Sequence, residues 1–370
     1  MFKHNRRSFM IASLAAAACT QAGTGVAASQ GLGDIAASRG IRFGSMVKAR
    51  YLQQDRAYVA TMRQEIKLAS CFSLQWEDVE KKRGDARYPH GDLEIGWAND
   101  EQMACSAGFL VWQDSLPKWF DDIETRADAE QAIRDHVTRT VSRYGEKVQL
   151  WQVGNEAVKP KDGRPDGLQN SPLLDKIGIE YLDVAFHAAH EAAPHAELLY
   201  NDGQLEYDIP DQEQRRKIML ELIDGLLKRG VPINTVGTHS HLFTQYNDKF
   251  NEKTVERFLK EISDRGLGIA ITELDVGDAG SPSDITQRDA DVAASYKRYL
   301  DVALANPRVK TVLMWGMTDK DSWVVRGDLK LYVRNDGLDP RPLPFDKNYQ
   351  QHPCYAAIAQ ALQSAPVHAA

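Results

Sequence analysis

Gly268-Ile269-Ala270-Ile271-Thr272-Glu273-Leu274-Asp275-Val276 is a run of small and β-branched residues that ends in acids. Its apolar character reads as a strand buried on both faces, the kind found in parallel sheets. A carboxylate at the C-terminal end of such a strand lies where a (β/α)8 barrel keeps its chemistry. A second stretch repeats the pattern: Val148-Gln149-Leu150-Trp151-Gln152-Val153-Gly154-Asn155-Glu156. Two carboxylates at one barrel end suit cleavage of a glycosidic bond, one attacking or stabilising and the other donating a proton. Several strand–helix units separate them, so only a closed fold brings them together.

Working outward, the chain alternates strand-like and helix-like segments without a long linker or repeat. Strands are expected at Ile41–Ser45, Leu68–Phe72, Met103–Gly108, Val148–Gly154, Leu198–Asp202, Thr235–His239, the Glu273 stretch and Thr311–Trp315. Helices are expected at Ala57–Lys67, 128–143, Gln212–Arg229, Lys253–Arg265, Ala290–Ala305 and Tyr349–Leu362, with one long helix from about Leu173. In 128–143, Ile133, Val137 and Val141 recur every four residues and form one buried stripe. This is an α/β pattern and implies a single TIM barrel. A doubly wound sheet would carry a Gly-rich phosphate turn after its first strand, and none follows Ser45.

The 370 residues are 26% charged with a formal net charge of −7, which offers no basic surface for nucleic acid. Residues 1–28 read as an export signal: Arg6-Arg7-Ser8-Phe9 precedes the Ala-rich run Ile11 to Ala18, and Val26-Ala27-Ala28 offers a cleavage site. The paired arginines favour the twin-arginine route, hence a periplasmic or secreted protein, with residues 29–370 as one catalytic domain. Ala-Ala-Ala-Cys19 resembles a lipid-anchor box without its usual leading Leu. Beyond the signal, Cys71, Cys105 and Cys354 match neither a metal motif nor a disulfide framework, so buried thiols are expected. No metal or cofactor motif is found, and no protein partner is implied; the expected state is a monomer.

The expected strand ends converge on one rim: Tyr200-Asn201-Asp202, His239-Ser240-His241, Glu273-Leu274-Asp275 and Trp315. Polar groups with indole suit a sugar, whose hydroxyls need partners and whose apolar face stacks. With these residues placed, the chain resembles glycoside hydrolase family 10, mostly retaining endo-1,4-β-xylanases on a TIM barrel. Trp151-Gln152-Val153-Gly154-Asn155-Glu156-Ala157 is similar to the family's Trp-Asp-Val-Val-Asn-Glu-Ala, and Ile271-Thr272-Glu273-Leu274-Asp275 matches its nucleophile motif. Tyr200-Asn201-Asp202, Ser240-His241-Leu242, Leu110-Val111-Trp112 with Leu116-Pro117-Lys118-Trp119, and Asp319-Lys320-Asp321-Ser322-Trp323 after Trp315 extend the likeness over about 41–362.

The resemblance implies Glu273 as nucleophile, supported by His241 held on Asp275, and Glu156 as acid/base with its pKa raised by the nearby Glu273 charge. Retaining chemistry expects the two carboxyls about 5–5.5 Å apart. Asn155 is expected to bind the sugar's 2-hydroxyl, with Trp112, Tyr200, His239, Trp315 and Trp323 also binding substrate, a xylan-type poly- or oligosaccharide. The likeness fails at one place. The family's Pro-Glu-Asn-Glu-Met-Lys-Trp is Ser70-Cys71-Phe72-Ser73-Leu74-Gln75-Trp76 here; the His ending strand three is Gly108, the His after Trp112 is Gln113, and the Gln before Ser-His is His239. Phe72 and Gln75 therefore replace glycone-side binding groups, and Gly108 is expected to leave space. Three readings follow: a xylanase with altered glycone specificity, a retaining β-glycosidase acting on another or decorated glycan, and a non-catalytic glycan-binding protein.

Overall fold

A computed structural model describes residues 30–326 and 333–368; the expected export signal lies outside them. Among the described residues there are nine parallel strands: β1 (Arg42–Val47), β2 (Leu68–Cys71), β3 (Ala104–Trp112), β4 (Leu150–Asn155), β5 (Glu197–Asp202), β6 (Thr235–Thr238), β7 (His241–Phe243), β8 (Gly268–Gly277) and β9 (Val309–Met314). The barrel closes because β1 pairs with both β2 and β9 while β6 pairs with β8. Eight strands form this ring, as expected. β7 continues the line of β6 after a break at His239-Ser240, where Ser240 has φ +66°, and pairs with the outer end of β8.

The barrel interior is layered because alternate residues of a strand share a face. Leu150, Leu199 and Ala270 form a small apolar floor of their own. Two residues further along the same strands come Gln152, Asn201 and Thr272. Gln152 Nε2 donates to Ser106 Oγ at 3.3 Å, and Thr272 Oγ1 donates to Asn201 Oδ1 at 2.7 Å. The interior thus turns from apolar to polar just before the strands end. The larger core lies between the strands and the helices, where Ile133, Val137 and Val141 are buried in helix Arg126–Tyr144.

Several boundaries differ from expectation, each for a local reason. The long helix from Leu173 is two, Pro172–Lys176 and Glu180–Ala192, interrupted at Gly178 with φ +82°. The helix expected from Ala290 begins at Ile285, because the Asp284 carboxylate accepts from Gln287 N at 2.9 Å and caps it earlier. The last helix starts at Pro353 rather than Tyr349, which sits in a turn at φ +62°. Helices Trp76–Val79 and Pro89–Asp100 lie between β2 and β3. β3 runs four residues past Gly108 to Trp112, with a register shift against β4 between Gly108 and Val111. Cys71, Cys105 and Cys354 are buried thiols.

Candidate active site

Glu273 lies where the register of β8 against β9 shifts between Ile271 and Leu274, an irregularity that re-aims a side chain. The residue is 4% exposed, and its carboxylate is held from several sides. Asn201 Nδ2 donates to Oε1 at 3.1 Å, His241 Nε2 donates to Oε2 at 3.1 Å, and His239 Nε2 stands 3.3 Å from Oε1. Asn201 fits because its neighbour is Gly237, where a Cβ would stand 2.2 Å from Asn201 Oδ1. His241 Nδ1 donates to Asp275 Oδ1 at 2.8 Å, and the other Asp275 oxygen accepts from Trp323 Nε1 at 2.6 Å. Burial alone would raise the Glu273 pKa, but His239 and the bonds from His241 and Asn201 outweigh it and hold the group below its usual range. Burial alone would likewise lower His241, yet Asp275 and Glu273 keep its imidazole protonated well above the usual range.

Glu156 follows β4 in the left-handed region, φ +54°, a strained position for a residue with a side chain. Its main chain is tied at both ends. Glu156 N donates to Asn201 O at 3.0 Å, and its carbonyl accepts from Gln113 Nε2. Gln113 Nε2 also donates to Gln169 Oε1 at 2.8 Å, and Gln169 Nε2 donates to Asp114 Oδ1 at 2.7 Å. The Glu156 carboxyl accepts from Trp112 Nε1 at 3.0 Å and lies 3.7 Å from His239 Nδ1. One imidazole therefore touches both carboxyls. Loss of water around Glu156, then the Glu273 charge, then Asp202, push its pKa up to about 8. The pair is poised in opposite senses: Glu273 ionised, Glu156 protonated at neutral pH.

Asn155, beside Glu156 in the chain, is buried. Its Oδ1 accepts from Asn201 Nδ2 at 3.1 Å, while its Nδ2 has no partner among the described residues, an arrangement a sugar hydroxyl would satisfy. A cleft of about 710 Å³ opens beside the pair, lined among others by Trp112, Glu156, His239, His241, Trp315 and Trp323. Two carboxyls of opposite poise in an indole-lined cleft constitute the acid and nucleophile of glycoside cleavage.

The sequence pattern of glycosyl hydrolase family 10 matches residues 31–361. The chain belongs to glycosyl hydrolase family 10. Within the family it is similar to endo-1,4-beta-xylanase B of Thermotoga neapolitana, 31% identical over 294 residues and covering 78% of each chain. Among solved structures it resembles native xylanase 10B from Thermotoga maritima, with a TM-score of 0.80, 28% identity, and coverage of 90% of this chain and 98% of that one. It also resembles xylanase 10B from Thermotoga petrophila, solved in complex with xylobiose, with a TM-score of 0.80, 27% identity, and coverage of 90% and 97%. It is an endo-1,4-β-xylanase-like glycoside hydrolase.

Not every expected site residue of this family 10 barrel meets the cleft. Tyr200 is fully buried, so it does not line the sugar site as expected; its hydroxyl donates to Asp202 Oδ2 at 2.6 Å and accepts from Ala157 N at 3.2 Å, securing the turn after Glu156. Gly108 leaves no space for a side chain: its φ is +152° and a Cβ would stand 2.5 Å from Gln152 O. Phe109, the next residue, packs edge-on against Phe72 at 5.2 Å and against Trp112 at 5.6 Å, and Phe72 packs edge-on against Trp315 at 4.9 Å. Gln75 is half-buried just before helix Trp76–Val79, and neither it nor Phe72 lines the 710 Å³ cleft. Sequence reasoning missed Phe109 and the tie of Gln113 to the Glu156 carbonyl, because neither residue type signals its partner. The donor atoms of His239, His241 and Glu273 lie within 4.8 Å of one another and are the cluster among the described residues suited to a metal ion.

The poise of the pair fixes the pH profile. kcat/KM falls on the acid side as Glu273 gains a proton and on the alkaline side as Glu156, near 8, loses one. The Trp112 N–H stabilises the Glu156 carboxylate, so Trp112→Phe is predicted to move the alkaline limb to higher pH while lowering kcat/KM. An alkaline limb that stays in place or moves down contradicts this assignment.

Proposed function

We propose that the protein hydrolyses β-1,4-xylosidic bonds by double displacement with net retention. Glu273 attacks the anomeric carbon as Glu156 passes its proton to the departing glycosidic oxygen, leaving a glycosyl ester on Glu273. With the Glu273 charge neutralised, the Glu156 carboxylate left by that transfer is no longer disfavoured and accepts a proton from water, which attacks the anomeric carbon, breaks its bond to Glu273 and frees the carboxylate. Asn155 would bind the 2-hydroxyl, and Trp315 and Trp323 would offer stacking faces to the sugars. The single observation that carries the reading is the opposite poise of the two carboxyls; the xylanase names of the relatives and the xylobiose held by one neighbour support the substrate class. The Arg6-Arg7 leader supports export, and the proposed enzyme is a monomer acting on xylan-type glycans.

Glu273→Ala is predicted to abolish turnover. Glu156→Ala should lose activity on xylan by at least about a hundredfold, yet added azide should restore turnover of an aryl xyloside with a good leaving group. The product should be a glycosyl azide of retained configuration, read by proton NMR. An inverted product, or near wild-type xylan hydrolysis by Glu156→Ala, overturns the roles.

The specificity of the glycone side is a finer part of the proposal. Phe72, where the family pattern has Asn, joins Phe109, Trp112 and Trp315 in an apolar wall, and Gln75 stands where the pattern has Lys, which favours a decorated or otherwise altered glycan. Each charge-assisted hydrogen bond regained is worth about 1.5–3 kcal/mol. Phe72→Asn with Gln75→Lys is therefore predicted to raise kcat/KM on linear xylooligosaccharides by about tenfold or more. High wild-type activity on linear xylan, unchanged in the double variant, would show that other groups already grip the glycone.

A further inference from the structure

His239 stands where the family pattern has Gln, and it faces Glu273 beside a second imidazole. We infer that His239, His241 and Glu273 form a binding site for a divalent transition-metal cation, zinc being the ion these donors suit, and that the bound ion disables the nucleophile. Two nitrogens and one carboxylate, with the fourth position open, are a donor set that zinc takes in proteins. Ligands at about 2.0–2.1 Å from a tetrahedral ion stand about 3.3 Å apart. Here His239 Nε2 is 3.3 Å from Glu273 Oε1 and His241 Nε2 is 3.1 Å from Glu273 Oε2. The three donors lie within 4.8 Å of one another, so small ring rotations bring the two imidazole nitrogens to bonding distance.

The groups behind the donors fit as well. A metal-bound imidazole is oriented when its far nitrogen donates to a carboxylate. His241 Nδ1 already donates to Asp275 at 2.8 Å, and His239 Nδ1 faces the Glu156 carboxyl at 3.7 Å. On binding, zinc replaces the proton on His241 Nε2, which passes to solvent, and His239 carries its proton on Nδ1. The Glu273 lone pair then lies on the ion instead of facing an anomeric carbon. His239 and His241 line the cleft, and His241, its side chain 20% exposed, gives the ion its entry.

The test begins with chelator-treated full-length enzyme dialysed against zinc. One zinc per chain is expected, and hydrolysis should fall in proportion to occupancy. Cobalt(II) in place of zinc should give the visible bands of a four- or five-coordinate ion. His239→Gln and His239→Ala, checked for folding by circular dichroism, should each bind zinc at least tenfold more weakly. In the wild type, zinc should shift the imidazole ¹⁵N resonances of His239 and His241 and leave the other histidines unmoved. Failure of the wild type to take up stoichiometric zinc, shifts confined to other histidines, or equal affinity in folded variants overturns the site.

Discussion

Two carboxyls near each other must hold one charge and one proton, and the barrel end is arranged around that demand. A buried carboxylate is unfavourable unless donors surround it. Glu273 has them in Asn201 and His241, with the His239 ring 3.3 Å away, and His241 is itself anchored by Asp275. Those donors come from β5 and β7, with His239 at the break before β7, so ionising Glu273 requires the ring to be closed. Glu156 receives one N–H, from Trp112, while burial and the neighbouring charges of Glu273 and Asp202 favour its protonated form. The asymmetry between attacking group and proton donor is thus set by neighbours and not by residue type.

Much of this was legible in the sequence, for reasons that differ by element. The barrel strands read clearly because parallel strands are buried on both faces and appear as apolar runs. The acids at the ends of two such runs stood out against them. Helix Pro89–Asp100 was hidden because its buried face includes Gly91 and Glu94 beside Ile95 and Ala98, which breaks the apolar period. Glu94 is buried there to accept from Ala49 N at 3.0 Å and Ser73 Oγ at 2.6 Å, tying the loops after β1 and β2 together. The break after β6 was equally silent, since nothing in Thr-His-Ser-His announces a left-handed Ser240.

At the site, the residue types pointed to chemistry but not to exposure. Tyr200 reads as a rim residue and is instead a buried strut between Asp202 and the chain after Glu156. Gly108 reads as empty space and is instead a backbone position whose missing Cβ lets β3 lie against Gln152. The volume suggested at Gly108 is denied, and the neighbouring Phe109 meets Phe72 to build an aromatic wall between Trp112 and Trp315. Contact across strands decides each of these outcomes, and spacing along one strand carries no record of it. The same holds for His239, whose significance lies in touching both carboxyls at once.

The central claim is that the Glu273 charge helps keep Glu156 protonated. The direct measurement is a carbon-13 NMR titration of the Glu156 carboxyl in the wild type and in Glu273→Gln, which removes the charge and keeps the shape. The account predicts a wild-type midpoint near 8 that falls in the variant but stays above the ordinary carboxyl range, because burial remains. A midpoint that does not move when the charge is removed, or one already at the ordinary value in the wild type, would contradict it.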